Sequence, residues 1–144
     1  MTFTLTLDVD AEPTRVFEFI ADFATTPQWY SAVQRVERVH GTGGAGTTYT
    51  VLRRLPSGPA ANTVVVDSRT EGEEITFASV DGPTPFSYRY RVRPAPGGSR
   101  LELEGTISAA GLPGPARLLG PLAEPLFERG MRSNLKTLKG ILEQ

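Results

Sequence analysis

The side chains that could do chemistry in this chain are few, and most of them are phenols. Its 144 residues include one histidine, His40, and no cysteine. A cysteine nucleophile, a thiolate metal site and a disulfide framework are therefore excluded, and a serine triad or a multi-histidine metal site is not expected. His40 ends a predicted strand, while Asp8 and Asp10 resemble helix caps, so no carboxylate pair for hydrolysis is visible. We expect no metal and no cofactor.

Tyrosines are concentrated at positions that the strand pattern turns inward. On the predicted strand 47–55, alternation points Tyr49 and Val51 to the interior, and on strand 85–93 it does the same for Tyr88 and Tyr90. A mostly apolar pocket with a few polar groups is typical of a small-molecule site. The residues that we predict to bind such a ligand are Trp29, Tyr49, Val51, Phe77, Phe86, Tyr88, Tyr90, Leu103, Phe127, Met131 and Leu135.

The alternative for these aromatic residues is a packed core with the tyrosine hydroxyls reaching the surface or a neighbour. This alternative is strong for Tyr88, which the predicted register places over Gly105, where an aromatic ring would cover bare backbone. Arg53 follows the inward phase of its strand, near the expected mouth of a cavity. Arg53 and Arg54 can also flank the turn at Pro56 in solvent, and the sequence favours that second placement.

The elements that must position these residues are a strand, two short helices, six strands and one long helix. Alternation from residue 2 to residue 9 predicts the first strand, and Pro13 marks the start of a helix that Thr25–Pro27 ends. A second short helix is predicted at 28–31. Strands are predicted at 33–40, 47–55, 61–69, 74–80, 85–93 and 100–108, joined by Gly/Pro turns. Their short connections imply an antiparallel meander, and the fold class is α+β.

The hairpin between the last two strands can be checked by arithmetic. A turn centred between Pro96 and Gly97 places Arg91 opposite Glu102 and Arg89 opposite Glu104. The same register places Tyr88 opposite Gly105 and Tyr90 opposite Leu103. The arginine row is therefore interpreted as an outer face of cross-strand ion pairs rather than a phosphate site.

The C-terminal region is predicted to be a long amphipathic helix. Apolar residues recur at helical spacing at Phe127, Met131, Leu135, Leu138 and Leu142. We expect the helix to run from Pro121 to Gln144, with a kink or its true start at Pro125. Residues 109–120 are expected to form a linker.

Composition limits the possible partners. The formal net charge of −1 argues against a nucleic-acid module. No apolar run approaches the ~20 residues of a membrane helix, so we do not expect stable membrane insertion. We expect a cytoplasmic location. We predict one domain over residues 1–144 and leave the oligomeric state open.

Gly41, Gly43 and Gly46 formally satisfy the G-x-G-x-x-G pattern. A dinucleotide site needs that pattern between a strand and a helix, whereas here the predicted strand 47–55 follows. We therefore interpret the segment as a hairpin loop at a cavity rim.

The order of elements resembles the Bet v 1-like, START-like (SRPBCC) superfamily, in particular its polyketide cyclase/dehydrase and lipid-transport branch. Three segments carry the resemblance: residues 9–17 with Asp22, Pro27 and Trp29, the glycine loop 41–47, and the closing helix with residues 134–139 and Glu143. The resemblance implies a helix-grip fold, in which a seven-stranded antiparallel sheet wraps the long C-terminal helix around a cavity. It also implies that an arginine or tyrosine in the cavity can steady an enolate.

Three functions follow as hypotheses. The first is binding of a hydrophobic or polycyclic small molecule, or a lipid, between the sheet and the C-terminal helix. The second is a polyketide cyclase/dehydratase-like enzyme with Tyr49, Arg53 or Tyr88 as proton donors or enolate stabilisers. The third is a lipid carrier or membrane-docking module that uses the basic residues of the last helix, Arg129, Arg132, Lys136 and Lys139. A solvated helix face explains those charges more simply.

Overall fold

In this computed structural model a first strand is followed by two helical segments, a six-stranded meander and a closing helix. The structure describes residues 2–55, 58–81, 85–107 and 120–144, and of residues 55, 120–124 and 126–127 it describes only the backbone. The strands are β1 Thr2–Val9, β2 Val33–His40, β3 Thr48–Leu55, β4 Gly58–Thr70, β5 Glu74–Ser79, β6 Phe86–Ala95 and β7 Gly98–Ile107. The helices are α1 Pro13–Ala21, a 3₁₀ helix Phe23–Gln28 and α2 Gly120–Leu142.

All seven strands form one antiparallel sheet in the order β1-β7-β6-β5-β4-β3-β2. Each strand from β2 to β7 pairs with its neighbour in sequence, and β1 closes the arrangement by pairing with β7. The predicted fold class, an α+β helix-grip fold with a seven-stranded antiparallel sheet, two short helices after β1 and a long C-terminal helix, is confirmed.

The β6–β7 hairpin has the predicted register. Arg91 lies opposite Glu102, Arg89 opposite Glu104, and Tyr90 opposite Leu103. Arg89 forms an ion pair with Glu104 at 2.8 Å, while Arg91 lies 2.9 Å from Glu74 on β5 and 3.7 Å from Glu102. The arginine row is thus a paired outer face, and the opposite phase of both strands enters the core.

The ring that covers Gly105 is that of Phe3, not that of Tyr88 as predicted. Tyr88 is the cross-strand neighbour of Gly105 on β6, as predicted, but Phe3 on β1 is its neighbour on the other side. A Cβ added at Gly105 would lie 2.5 Å from Cζ of Phe3. Phe3 therefore fills the space above Gly105, which leaves the Tyr88 ring free to face elsewhere.

The segment after β1 departs from prediction in its boundaries and caps. Glu12, which precedes Pro13, occupies the N-cap position of α1 without a side-chain cap, so Asp8 and Asp10 are not caps. Asp8 instead pairs with Arg100 at 3.0 Å. Helix α1 ends at Ala21. The Asp22 side chain then accepts a hydrogen bond from the Ala24 N–H and caps a 3₁₀ helix that includes Pro27. The second helix therefore lies at 23–28 rather than 28–31.

Helix α2 packs through the predicted stripe, with Met131, Leu135, Leu138 and Leu142 at most 2% exposed. The side chain of Phe127, the remaining member, lies outside the described residues, as do residues 109–119 of the predicted linker. The helix already includes Gly120 and continues through Pro125, so Pro125 is not its start. A proline near the beginning of a helix removes only one backbone hydrogen bond, which the rest of the helix tolerates.

Three hydrogen bonds join the C-terminal end of α2 to the β1–α1 junction, and an ion pair within α2 links two of the residues that form them. Lys139 Nζ donates to the carbonyl of Asp8 at 2.7 Å and to Glu143 at 2.6 Å. Glu143 accepts from the Asp10 N–H at 2.8 Å, and Arg15 donates to the carbonyl of Leu142. We call Lys139, Glu143 and Arg15, with their partners, the C-terminal clasp.

The glycine loop between β2 and β3 is tightly turned. Gly41, Gly43 and Gly46 have φ values of 90°, 111° and 91°, which favour glycine. Thr47 Oγ1 accepts from the Gly43 N–H at 2.8 Å, and Arg69 donates to the Gly43 carbonyl at 3.1 Å. Strand β3 begins immediately after the loop, so the loop does not lead into a helix as it does in a dinucleotide site.

Candidate functional site

A cavity lies between the inner face of the sheet and the segment that runs from the 3₁₀ helix to the start of β2. Its wall is mainly aromatic and is built from five strands and that segment. The described lining residues are Phe23, Thr26, Trp29, Tyr30, Val33, Val51, Arg53, Asn62, Val64, Phe77, Phe86, Tyr88 and Tyr90. Ten of the thirteen are buried, while Tyr30, Arg53 and Phe86 are partly exposed. We call these three residues the mouth.

The space inside the cavity is small. The cavity volume is about 30 Å³, well below the ~150 Å³ of a cavity that binds benzene. An aromatic ligand therefore requires side chains of the wall to move outward, and the mouth residues are the ones with solvent on one side.

The aromatic rings of the wall contact one another mostly in tilted or edge-on pairs. Phe77 lies 4.5 Å from Phe23 and 6.3 Å from Tyr90, and Trp29 meets Tyr90 edge-on at 6.1 Å, measured between ring centroids. Tilted and edge-to-face pairs of this kind are the preferred geometry of packed aromatic rings.

Three buried polar atoms of the lining have no hydrogen-bond partner among the described atoms. They are Nε1 of Trp29, Nε of Arg53 and Oδ1 of Asn62. Trp29 and Asn62 are 4% and 7% exposed, so bulk water does not satisfy them in place of the protein. Buried polar groups in folded proteins are almost always paired with protein or with ordered water, so these three atoms mark positions where a bound molecule would find polar partners.

Two phenols of the wall are held in their neutral form. Burial raises the pKa of Tyr88 well above its ordinary value, and the neighbouring Tyr30 hydroxyl raises it further. Burial likewise raises the pKa of Tyr90. The hydroxyls of Tyr30 and Tyr88 lie 3.4 Å apart. At neutral pH these phenols can donate a proton or a hydrogen bond, and they are poorly suited to act as bases.

The mouth contains the one charged residue of the described lining. The guanidinium of Arg53 lies over the Phe86 ring, 5.3 Å from its centroid. Arg53 is thus half-buried in the cavity wall, and the favoured expectation that it flanks the following turn in solvent is wrong, whereas Arg54 is indeed exposed. The inward phase of β3 places Arg53 beyond Tyr49 and Val51, and the apolar part of its side chain allows the partial burial.

The structure brings together seven of the residues singled out from sequence: Trp29, Val51, Arg53, Phe77, Phe86, Tyr88 and Tyr90. Tyr49 is buried behind this wall against Phe23, at 4.8 Å between centroids, and burial raises its pKa. Leu103, Met131 and Leu135 are buried in the core without lining the cavity. The side chain of Phe127 is outside the described part of the chain. A ligand-binding role for these residues stays a prediction.

Six lining residues were missed by sequence reasoning: Phe23, Thr26, Tyr30, Val33, Asn62 and Val64. A signal existed for Asn62, because a polar residue in the inward phase of a strand with Val64 and Val66 needs a reason to be there. Phe23 and Thr26 were hidden because the 3₁₀ helix was not anticipated, and a 3₁₀ turn presents a different face from an α-helix.

The described side chains include no group of three or more histidine, cysteine or acidic residues that could hold a metal ion. Within the same part of the chain, no helix is long and apolar enough to cross a membrane.

A sheet that packs against a closing helix and a helical segment after its first strand, with an aromatic cavity beside them, defines a helix-grip cavity protein. The family model described as polyketide cyclase / dehydrase and lipid transport matches residues 1–143. The chain belongs to this family. No curated protein sequence matches the chain significantly.

Many solved structures have a similar fold, and the three named below are distant from this chain in sequence. The Zhui aromatase/cyclase from Streptomyces sp. R1128 is 16% identical with a TM-score of 0.82, and 99% of this chain covers 93% of that one. A START superfamily protein from Mycobacterium smegmatis is 19% identical with a TM-score of 0.82, over 99% and 97% of the chains. Ara h 8.0201 is 20% identical with a TM-score of 0.75, over 99% and 97%. At these identities the likeness concerns the fold.

Proposed function

We propose that this protein binds a hydrophobic, aromatic small molecule in the cavity described above. The observation that carries the proposal is the coincidence of an aromatic wall with three unpartnered buried polar atoms in the same space. Apolar surface supplies most of the affinity of a small-molecule site, and a few polar groups fix the orientation of the ligand. Membership of a family described by polyketide and lipid chemistry supports the same proposal.

A filled core is the competing explanation, and the polar atoms argue against it. A core that evolved only for packing would place apolar side chains at positions 29, 53 and 62, because each buried polar group without a partner costs about 1–3 kcal/mol. Such a cost is common at functional sites, where a ligand supplies the missing partner.

Entry of a ligand requires the mouth to open, and the contacts across it are weak. Arg53 meets Phe86 through a cation–π contact at 5.3 Å, and the Tyr30 and Tyr88 hydroxyls are 3.4 Å apart, at the long limit of a hydrogen bond. Rotation of these side chains enlarges the cavity without disturbing the strand ladder, so the small volume is compatible with binding.

The test uses Trp29, which is the only tryptophan of the chain and lines the cavity. Its emission should shift when the protein is titrated with planar polycyclic aromatics such as naphthalene derivatives, and less with fatty acids of similar mass. Val64→Phe fills the cavity from β4 and should abolish the shift. Val65→Phe, which adds the same ring to the next residue on the other face of β4, is the matched control and should retain it.

Circular dichroism establishes that both variants fold. Emission that ignores every aromatic probe, with calorimetry showing no heat of binding, would contradict the proposal. An unchanged affinity in folded Val64→Phe would place binding elsewhere and would contradict it as well.

A cyclase-type activity on the bound ligand is a second candidate. The observation that favours it is that Arg53 and the neutral phenol of Tyr88 line one cavity, so a cation and a proton donor could stabilise an enolate and then protonate it. Tyr88→Phe should lower turnover of a cyclising substrate about 100-fold or more while leaving ligand binding nearly unchanged. Turnover equal to that of the wild-type protein in both Tyr88→Phe and Arg53→Met would remove this candidate. Tyr49 is a weaker choice, since it does not line the cavity.

The lipid-carrier or membrane-docking alternative receives less support from the helix face on which it relied. Arg132 pairs with Glu128 at 3.1 Å, and Lys139 belongs to the C-terminal clasp. Arg129 and Lys136 are exposed, and a solvated helix face accounts for them. Docking through these residues stays a prediction.

A further inference from the structure

We infer that strand β1 is an interaction edge of this protein and that its partner is a second copy of the chain. The two β1 strands pair antiparallel about Thr4 and join two seven-stranded sheets into one. This interface lies on a different surface from the cavity and does not depend on the proposed function. It follows from the protection of the two sheet edges, the direction of the β1 backbone groups and the sequence of the strand.

The two edges of the sheet are protected to different degrees. Strands β1 and β2 are the outermost strands. The pairing of β2 with β3 shifts near both ends of the strand, and β2 exposes the charged residues Arg35, Glu37 and Arg38. Bulges and charges of this kind prevent an edge strand from pairing with another molecule. Strand β1 pairs with β7 over its whole length without a shift, and residues 2–7 include no charged residue and no proline. The β1 edge is therefore the one that remains able to pair.

The hydrogen-bonding pattern of the sheet shows which β1 backbone groups are free. In an antiparallel sheet the N–H and C=O of successive residues point alternately to the two neighbouring strands. The Val92 N–H donates toward β5, to the Glu73 carbonyl at 2.8 Å, so odd-numbered residues of β6 bond to even-numbered residues of β7. Odd-numbered residues of β7 then bond to odd-numbered residues of β1. The backbone groups of Thr2, Thr4 and Thr6 therefore point away from the sheet, and they have no hydrogen-bond partner among the described residues.

The C-terminal clasp closes one end of this free edge. The Asp8 carbonyl continues the outward phase, and it accepts a hydrogen bond from Lys139 Nζ at 2.7 Å. The free edge therefore consists of residues 2–6. A two-fold axis at Thr4 pairs Thr4 with its copy and Thr2 with Thr6 of the second copy. Every free N–H and C=O of this edge then has a partner in the other copy.

The side chains of β1 suit pairing with an identical strand. Residues 2–6 alternate threonine and apolar residues, so the pattern is the same in both directions. The two-fold register places threonine opposite threonine on the outer face, which is a favourable cross-strand pair, and Phe3 opposite Leu5 on the inner face. The two copies of Asp8 lie about 27 Å apart along the strands, at roughly 3.4 Å per residue, so the two C-terminal clasps do not meet.

The test measures association of the full chain by sedimentation velocity. An interface of two short strands belongs to the small, transient class, below about 1,200 Å², so we expect a dimer that forms reversibly as the protein concentration rises. Thr4 is exposed, and Thr4→Lys places like charges opposite each other at the two-fold axis. This variant should associate about tenfold more weakly than the wild type or worse, and Thr4→Glu should do the same.

A mixture of the two variants tests the register. A lysine and a glutamate then face each other at the axis, so the mixture should form a heterodimer more readily than either variant associates alone. Val39→Lys is the matched control, because it adds the same charge to a residue of the β2 edge that is 64% exposed. It should associate like the wild type. Circular dichroism checks that each variant is folded.

A wild-type protein that stays monomeric at every concentration would overturn the inference, and the β1 edge would then be open to a strand of another protein. A dimer that persists unchanged in Thr4→Lys and Thr4→Glu, or that Val39→Lys weakens equally, would place the interface elsewhere and overturn it as well. A mixture that associates no better than its components would contradict the pairing about Thr4.

Discussion

At position 105 the ring of Phe3 leaves no room for a side chain larger than that of glycine. A methyl group there would lie 2.5 Å from Cζ and 2.9 Å from Cε1 of Phe3. Gly105→Ala should therefore lower the free energy of unfolding by about 1–3 kcal/mol, the usual cost of overpacking a core. Urea unfolding measures the change.

Gly140 provides the matched control for that substitution. It lies in α2 with no atom within 4 Å of an added Cβ, and it is exposed. Gly140→Ala should raise the free energy of unfolding by about 0.5–1 kcal/mol, because alanine loses less backbone entropy in a helix. A Gly105→Ala variant as stable as the wild type would contradict the placement of Phe3.

The buried phenols predict a loss of stability in alkali. The folded-state pKa values of Tyr88 and Tyr90 lie above the ordinary value of 10.0, so their contribution is fully present below that pH. It is lost as the pH rises through the folded-state values, because the unfolded chain ionises first. The unfolding free energy of the wild type should therefore fall more steeply above pH ~10 than that of a Tyr88→Phe, Tyr90→Phe double variant. Parallel curves for the two proteins would contradict the burial of these hydroxyls.

For individual residues, the inward-facing positions of the strands were easier to predict from sequence than the cavity that these residues line. Alternation placed Tyr88, Tyr90 and Val51 inside correctly. It did not show that Arg53 follows the same phase, because an arginine beside a turn can equally extend into solvent. Nor does a pattern of residue types reveal which buried atoms lack partners, since that depends on side chains from five strands meeting in space.

The C-terminal clasp is an element-scale feature whose strength depends on pH. The hydrogen bond from Lys139, followed by that from the Asp10 N–H, lowers the pKa of Glu143 below its ordinary value of 4.5. A carboxyl whose folded-state pKa is lowered contributes stability above the unfolded value, and the contribution is lost as the pH falls through the folded value. The clasp should therefore hold α2 near neutral pH and release it in acid.

Glu143→Gln tests this dependence. At neutral pH the variant should be less stable than the wild type and should exchange the amide hydrogens at the end of α2 faster, and the difference should disappear in acid. Glu128→Gln removes only an intrahelical partner of Arg132 and should change stability by a few tenths of a kcal/mol at most. A difference in stability between Glu143→Gln and the wild type that does not change with pH would show that the charge of the Glu143 carboxylate does not stabilise the C-terminal clasp.

Elements were predictable to the extent that their pattern is local. Strand alternation and turn residues placed β2 at its observed bounds and set the register of the β6–β7 hairpin, because a two-residue period and a short turn leave one solution. The 3₁₀ helix was not predicted, since it depends on the Asp22 side chain capping Ala24, a contact that the sequence does not distinguish from an ordinary loop. The fastening of α2 to β1 joins residues 131 positions apart and has no local signal.

At the scale of the whole molecule, α2 and the cavity are linked through one buried side chain. Asn134, which is 6% exposed, accepts a hydrogen bond from the Ser31 N–H at 3.2 Å. Ser31 follows Trp29 and Tyr30, so the closing helix fixes the segment that forms one side of the cavity. The sheet forms the other side, so the cavity exists only where the sheet and this segment come together.

Ligand binding in the cavity can be detected directly by a native mass spectrum of the protein purified gently from its own cells. We expect a retained adduct of roughly a few hundred daltons, the mass of a small aromatic molecule, and we expect it to be lost in the folded cavity-filling variant Val64→Phe. A bare protein mass that also stays unshifted after incubation with polycyclic aromatic and fatty ligands would contradict it. The cavity would then be a packed core, and any function would have to lie on the surface.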